Sequence, residues 1–231
     1  MNRRLKIGLV VLVILIVGGI GFAFQTQRDA TGNTATPPVP TASETTGSTP
    51  VAAADTYGLG VGNPDAPVKI EIFEDFLCPF CQQYEETGRD GLRAQVADGK
   101  AYVVYRPIAF LNEYSARALN AFAVVLEKSG PDVALKFHDR LYDEQPSETG
   151  TMPDNQWLID QAVAVGARAD DITAGIDGYA FKQWIINGAD DASKRGVNAT
   201  PTVFANGSPL QGISIADLVH KTQTVIEDGG S

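Results

Sequence analysis

Along the chain, apolar and polar positions change texture several times. Residues Ile7 to Phe24 form an apolar run without a charge, and Arg3, Arg4 and Lys6 stand just before it. A helix of about 18 residues spans roughly 27 Å, close to the hydrocarbon thickness of a bilayer. The run predicts a transmembrane anchor within residues 1–24, with its positive charges inside and the rest of the chain outside. A cleaved signal peptide is the rival reading, because Gly21 and Ala23 have the spacing a signal peptidase recognises. The length of the run favours the anchor, and both readings export the remainder of the chain. No cysteine comes directly after the run, which speaks against a lipid anchor. Residues 25–56, rich in Thr, Ala, Pro and Gly, predict a disordered linker. They have too little apolar surface to offset the entropy of ordering them.

From residue 57 to 231 the pattern is globular. Val68–Phe73 reads as a strand bounded by Pro64, Asp65 and Pro67, and a helix is expected from Pro79 to about Val96. Ala101–Arg106 reads as a second strand, stopped by Pro107. Helical periodicity then recurs over Ser115–Glu127, Val133–Tyr142, Asp154–Val165, Asp170–Asp177 and Phe181–Lys194. Gly130-Pro131, Gln145-Pro146 and Gly150 to Pro153 punctuate these stretches. Strand pattern returns after Gly196, where Thr202–Ala205 and Pro209–Gly212 flank Asn206-Gly207, a type I′ hairpin signal. A last helix is expected from about Ile215 to Ile226. The fold class is α/β, with a helical insertion over about residues 107–195.

The 231 residues carry a formal charge of −10, and the part beyond the linker is more acidic still. It offers no electrostatic footprint for a phosphate backbone, so nucleic acid is excluded as a partner. The acid excess reads as a solvated surface. Trp157 and Trp184 are expected in the core, His138 as a partly exposed helix residue, and Glu85 with Glu86 as a charged helix face.

Only two cysteines exist, Cys78 and Cys81, two residues apart and directly after the first globular strand. A thiolate is the nucleophile in disulfide exchange, so a reactive cysteine needs a lowered pKa. A helix start supplies it, through free amide groups and the helix dipole. Pro79 suits the first helical position, and Cys81 falls one turn in on the same face, placed to resolve a mixed disulfide. A zinc knuckle would need two further ligands, and His138 and His220 belong to no second paired motif, so no metal is expected. A static disulfide remains the structural alternative, although a ring this small constrains the unfolded chain little.

The stretch from Glu71 to Cys81, Glu-Ile-Phe-Glu-Asp-Phe-Leu-Cys-Pro-Phe-Cys, resembles the active-site segment of DsbA-like thioredoxin-fold oxidoreductases. Gly196 to Gly207, which contains Thr200-Pro201, resembles the same family's cis-proline loop. The two motifs lie in the family's order, and the resemblance covers about Leu59 to Ile226. It implies a thioredoxin fold with a helical insertion and no cofactor. Cys78 and Cys81 become the redox pair, with Pro79 and Phe80 as the dipeptide between them. Thr200 and Pro201 become the wall of a substrate groove. It also implies exported protein thiols as substrates and a membrane quinone-linked reoxidase as partner.

Three departures from better-known relatives stand out. Phe80 replaces the histidine of strongly oxidising DsbA proteins, and Leu77 replaces thioredoxin's tryptophan. Ile72 occupies the position six before the first cysteine that holds a buried acid in thioredoxin, and Glu71 or Glu74 would replace that acid only weakly. An extracytoplasmic oxidase is the leading expectation. Isomerase and reductase remain open because several isomerases share Thr200, and a redox-inactive adaptor is opposed by the intact cysteine pair. A peroxidase motif is missing.

Overall fold

The computed structural model describes residues 37–38 and 49–230. The expected anchor and most of the linker lie outside the described residues, and among those described no helix is long and apolar enough to cross a membrane.

The frame is a strand, a helix and a parallel strand. β1 (Val51–Asp55) and β2 (Gly58–Val61) come first, followed by β3 (Val68–Glu74), α1 (Pro79–Ala97) and β4 (Ala101–Pro107). β3 and β4 pair in parallel from Val68 opposite Ala101 to Glu74 opposite Pro107. Parallel neighbours need a crossover, and α1 provides it. All seven residues of β4 are buried, as suits a strand covered on both faces. Tyr84, Leu92 and Val96 of α1 share one apolar cluster with Ile70, Ile72, Val103 and Val203 of the sheet.

β5 (Thr202–Ala205) pairs antiparallel with β3, and β6 (Ser208–Pro209) pairs antiparallel with β5. Asn206 and Gly207 turn between them at φ 48° and 79°, the positive values a type I′ turn requires. The return strand is shorter than the expected Pro209–Gly212, since Pro209 brings no amide donor to the ladder. α7 (Ile215–Glu227), capped by the Ser214 hydroxyl on the Asp217 amide, closes the fold and adds Leu218 and Val219 to the core.

Five helices intervene between β4 and β5: α2 (Glu113–Ser129), α3 (Pro131–Asp143), α4 (Asn155–Ala164), α5 (Ala169–Asp177) and α6 (Lys182–Lys194). α2 begins in a capping box between Asn112 and Ser115, and it is buried without a break from Ala118 to Leu126. Around it gather Phe137, Leu158, Ile172 and Trp184, while Trp157 packs half-buried at the edge.

Three expectations need correction. The linker drawn to residue 56 gives way at Val51, because β1 pairs with β2 and β2 pairs with β4, in the sheet order β1-β2-β4-β3-β5-β6. Val-Ala-Ala-Ala-Asp has weak strand propensity of its own. It is held by Arg106, whose guanidinium donates to both Asp55 oxygens at 2.9 and 2.6 Å and to Glu71 at 2.8 Å. Second, Glu86 is exposed as expected but Glu85 is buried. Third, His138 is fully buried rather than partly exposed.

Candidate active site

Cys78 is the N-cap of α1, in extended conformation, with Pro79 following it at the first helical position. The Cys78 carbonyl accepts from the amides of Cys81 (3.0 Å) and Gln82 (3.1 Å), so the first turn closes directly on the cysteine. Both cysteines carry free thiols. Each is nearly covered, Cys78 at 4% and Cys81 at 1% exposure, while Phe80 between them is 61% exposed. The ring of Phe80 therefore forms an apolar rim beside a recessed sulfur.

The two thiols differ sharply in acidity. A hydrogen bond from Cys81 brings the Cys78 pKa down to about 6 despite partial burial, helped by the Thr200 side chain and by the amides of Cys81 and Phe80. The same pairing acts in reverse on Cys81. Burial raises its pKa first, then donation to Cys78 and the nearby charges of Cys78 and Glu74. One sulfur is poised as a thiolate and its neighbour is held as a thiol.

The Thr200–Pro201 bond is cis, and it brings the Thr200 carbonyl to 3.3 Å from the Cys78 sulfur. A carbonyl only accepts, so this contact exists while the thiol keeps its proton and is released on ionisation. Phe80, Thr200, Pro201, Phe204, Leu210 and Ile213 line a cavity of about 770 Å³ beside the sulfur. Cys78, Cys81, Pro79, Phe80, Thr200 and Pro201, separated by up to 123 positions, thus meet at one site.

Two supports carry little or no mark in the sequence. The buried Asp75 carboxylate accepts from the amides of Leu77 (2.8 Å), Phe110 (2.7 Å) and Leu111 (3.0 Å), tying the turn before Cys78 to the loop after β4. Gln145, beyond α3, donates its amide to the carbonyls of Phe76 and Cys78, both at 3.2 Å. An acid three positions before the cysteine is the only sequence signal for the first, and nothing in the pattern marks the second.

A buried polar network stands behind Cys81. Glu74, at the end of β3, meets the His138 Nε2 at 2.6 Å, and His138 Nδ1 meets Asp139 at 3.0 Å. Arg93 binds Asp139 through two bonds of 2.7 Å, and Arg89 bridges Glu85 and Asp143. Burial lowers the His138 pKa, but the charge of Glu74 and the bonds to Asp139 and Glu74 carry it up to about 10. A buried carboxylate therefore does stand near the second cysteine, at Glu74 rather than at the position of Ile72. Glu74, Glu85 and His138 bring one oxygen or nitrogen each within 4.8 Å of one another. The imidazolium and the two arginines face four acidic side chains there, Glu74, Glu85, Asp139 and Asp143, which makes the group an ion-pair network.

Residues 55–221 match the family model described as thioredoxin. The probable disulfide bond formation protein D of Bacillus cereus is 22% identical over 90% of this chain and 90% of its own. Among solved structures, the reduced DsbA of Mycobacterium tuberculosis is 26% identical, with a TM-score of 0.59 over 78% of this chain and 96% of that one. The oxidised BdbD of Bacillus subtilis superposes with a TM-score of 0.66 over 85% of this chain and 98% of its own, at 22% identity. The chain belongs to the thioredoxin family, and within it is a DsbA-like thiol–disulfide oxidoreductase.

Proposed function

We propose that the chain forms disulfides in exported proteins, with Cys78 as the nucleophilic sulfur and Cys81 as its redox partner. The observation that carries this reading is the split between the two thiols. A Cys78 pKa near 6 stabilises the reduced form, and a disulfide whose reduced form is stabilised is a stronger oxidant. In turnover, a substrate thiolate attacks the Cys78 sulfur of the Cys78–Cys81 disulfide, and the electron pair of the broken bond goes to Cys81. A second substrate thiolate then attacks the substrate sulfur of the mixed disulfide. The new substrate disulfide leaves, and Cys78 departs as its stabilised thiolate.

Pro79 fits the start of the helix that holds the thiolate. Phe80 contributes an apolar rim and neither a hydrogen bond nor a charge. Thr200 and Pro201 form the wall along which an extended substrate segment lies, with main-chain groups available for pairing. The uncharged run Ile7–Phe24 supports a single-pass anchor in the cytoplasmic membrane with the domain outside. Such tethering keeps the reduced enzyme near a quinone-linked reoxidase in the same membrane, the partner that would remove its electrons.

The experiment is refolding of a reduced multi-disulfide protein beside rescue of a scrambled one. Efficient oxidation supports the proposal. Efficient rescue of scrambled protein with negligible oxidation would replace the oxidase by an isomerase.

A further inference from the structure

We propose that His138 releases a proton to solvent through Asp139 when the cysteines are oxidised and recovers one when they are reduced, offsetting the proton that Cys81 passes to and from Glu74. This path rests on the thiol–disulfide function proposed for the cysteine pair.

Its geometry is a line of polar atoms that starts at Glu74, whose charge acts on Cys81, and leads away from the cysteines. Glu85 lies one helical turn after Cys81 on the buried face of α1, so the two side chains are neighbours. Glu74 Oε1 contacts His138 Nε2, and His138 Nδ1 contacts Asp139 Oδ1. Glu74 Oε2 and Glu85 Oε1 are buried without a hydrogen-bond partner. A buried carboxylate oxygen without a protein donor is costly, and it has room for a proton. Asp139 is 19% exposed and lines a cavity of about 490 Å³ with Val51, Val61, Arg93, Val96 and Leu135. That cavity shares no lining residue with the groove beside Phe80.

Charge balance gives the line its purpose. In the reduced protein Cys81 is a neutral thiol, Glu74 an anion and His138 a cation, so the three sum to zero. Forming the disulfide removes the Cys81 proton. If that proton moves to Glu74 Oε2, the neutral acid no longer supports the imidazolium. His138 then releases its Nδ1 proton through Asp139 and keeps Nε2–H donating to Glu74 Oε1. Oxidised, all three groups are neutral, and the buried site again sums to zero. When a substrate thiolate breaks the disulfide, the pair left on Cys81 takes the proton from Glu74, and His138 recovers one from solvent. One proton crosses at Asp139 for each disulfide made or broken, and no isolated charge remains buried in either state.

Of the other groups facing His138, the phenols and the arginines do not titrate near neutrality, whereas burial first, then the charge of Glu74, raises the Glu85 pKa to about 7, so Glu85 can take up a proton in the same range. Tyr105 of β4 and Tyr142 of α3 pack on its ring at 4.4 and 5.2 Å, and burial first, then nearby carboxylates, raise both phenols far from titration. Arg89 and Arg93 of α1 stay charged at any working pH and hold Glu85 and Asp139. His138 itself owes its raised pKa to the charge of Glu74, against burial that pushes it down. Neutralising Glu74 therefore lets burial win.

The test uses the wild-type full chain in detergent, labelled with nitrogen-15 at histidine and prepared with its cysteines chemically reduced or oxidised. His220, the only other histidine, serves as the exposed reference. The proposal expects His138 at pH 7.5 to be protonated on both nitrogens when reduced, and on Nε2 alone when oxidised. Identical His138 signals in the two states would overturn it. A second arm measures release of Cys81 from the disulfide in Asp139→Asn. Proton transfer by a placed group is typically worth about a hundredfold, so a change one step removed should slow release about tenfold. The Cys78 pKa should stay in place. An unchanged rate, or equal slowing at every pH, would contradict the proposal. Failure of the wild-type disulfide to exchange with glutathione would instead sink the proposed function.

Discussion

His138 and Glu74, 64 positions apart, meet at 2.6 Å in a fully buried contact behind Cys81. Replacing His138 by Ala leaves Glu74 and part of Asp139 without their cation. Breaking one partner out of a buried pair costs about 3–5 kcal/mol, and a loss of that size is expected in urea unfolding of the reduced protein. The pH dependence comes from the raised folded-state pKa. The stability His138 contributes is complete below its unfolded value near 6.5 and is lost as pH rises toward about 10. A reduced wild-type protein with the same stability at pH 6.5 and pH 10 would contradict this account.

Alkylation of Cys78 should follow a midpoint near pH 6 in the reduced protein. The hydrogen bond from Cys81 is the largest contributor, so Cys81→Ala should move that midpoint up toward the free-thiol value of roughly 8.5. The same variant should trap substrates as mixed disulfides on Cys78. Accumulation of adducts on Cys81 in Cys78→Ala, with none in Cys81→Ala, would reverse the assignment.

Phe80→His places a hydrogen-bonding, partly cationic ring beside the Cys78 sulfur. It should lower the alkylation midpoint and make the disulfide more oxidising. A two-electron couple shifts by roughly 30 mV for about 1.4 kcal/mol, so one pKa unit is resolvable. An unmoved midpoint would show that this side chain does not sense the thiolate.

Asp75→Ala removes the acceptor for three amides around the active-site turn. A buried donor left unsatisfied costs about 1–3 kcal/mol, and the Leu77 amide alone meets that description. Thermal unfolding should show the loss, and hydrogen exchange at Leu77, Phe110 and Leu111 should accelerate together. Acceleration at only one of the three would mean that Asp75 does not join the two loops.

Much of the site is legible in the sequence because its parts obey local rules. Proline after Cys78 marks a helix start, a two-residue spacing puts Cys81 on the same face, and Asn206-Gly207 encodes its own turn. The helical insertion is visible in its periodicity, and its helices begin and end close to the expected breaks. What stays hidden depends on partners distant in sequence. β1 is a strand because Arg106 and β2 hold an alanine-rich segment in place. Glu85 and His138 look like surface residues in a helical pattern, yet Glu85 is buried against Arg89 of its own helix, which also reaches Asp143 of α3, and His138 is buried against Glu74 of β3. Periodicity reports which side of a helix is apolar, but it cannot report an ion pair assembled inside the protein.

Equilibration of the Cys78–Cys81 disulfide of the full chain against a glutathione buffer tests the central claim most directly. A Cys78 thiolate stabilised by the helix start and Cys81, but without histidine between the cysteines, predicts a potential between thioredoxin's roughly −270 mV and the roughly −120 mV of the strongest oxidants. A potential at or below roughly −270 mV would contradict the account and make the protein a reductase.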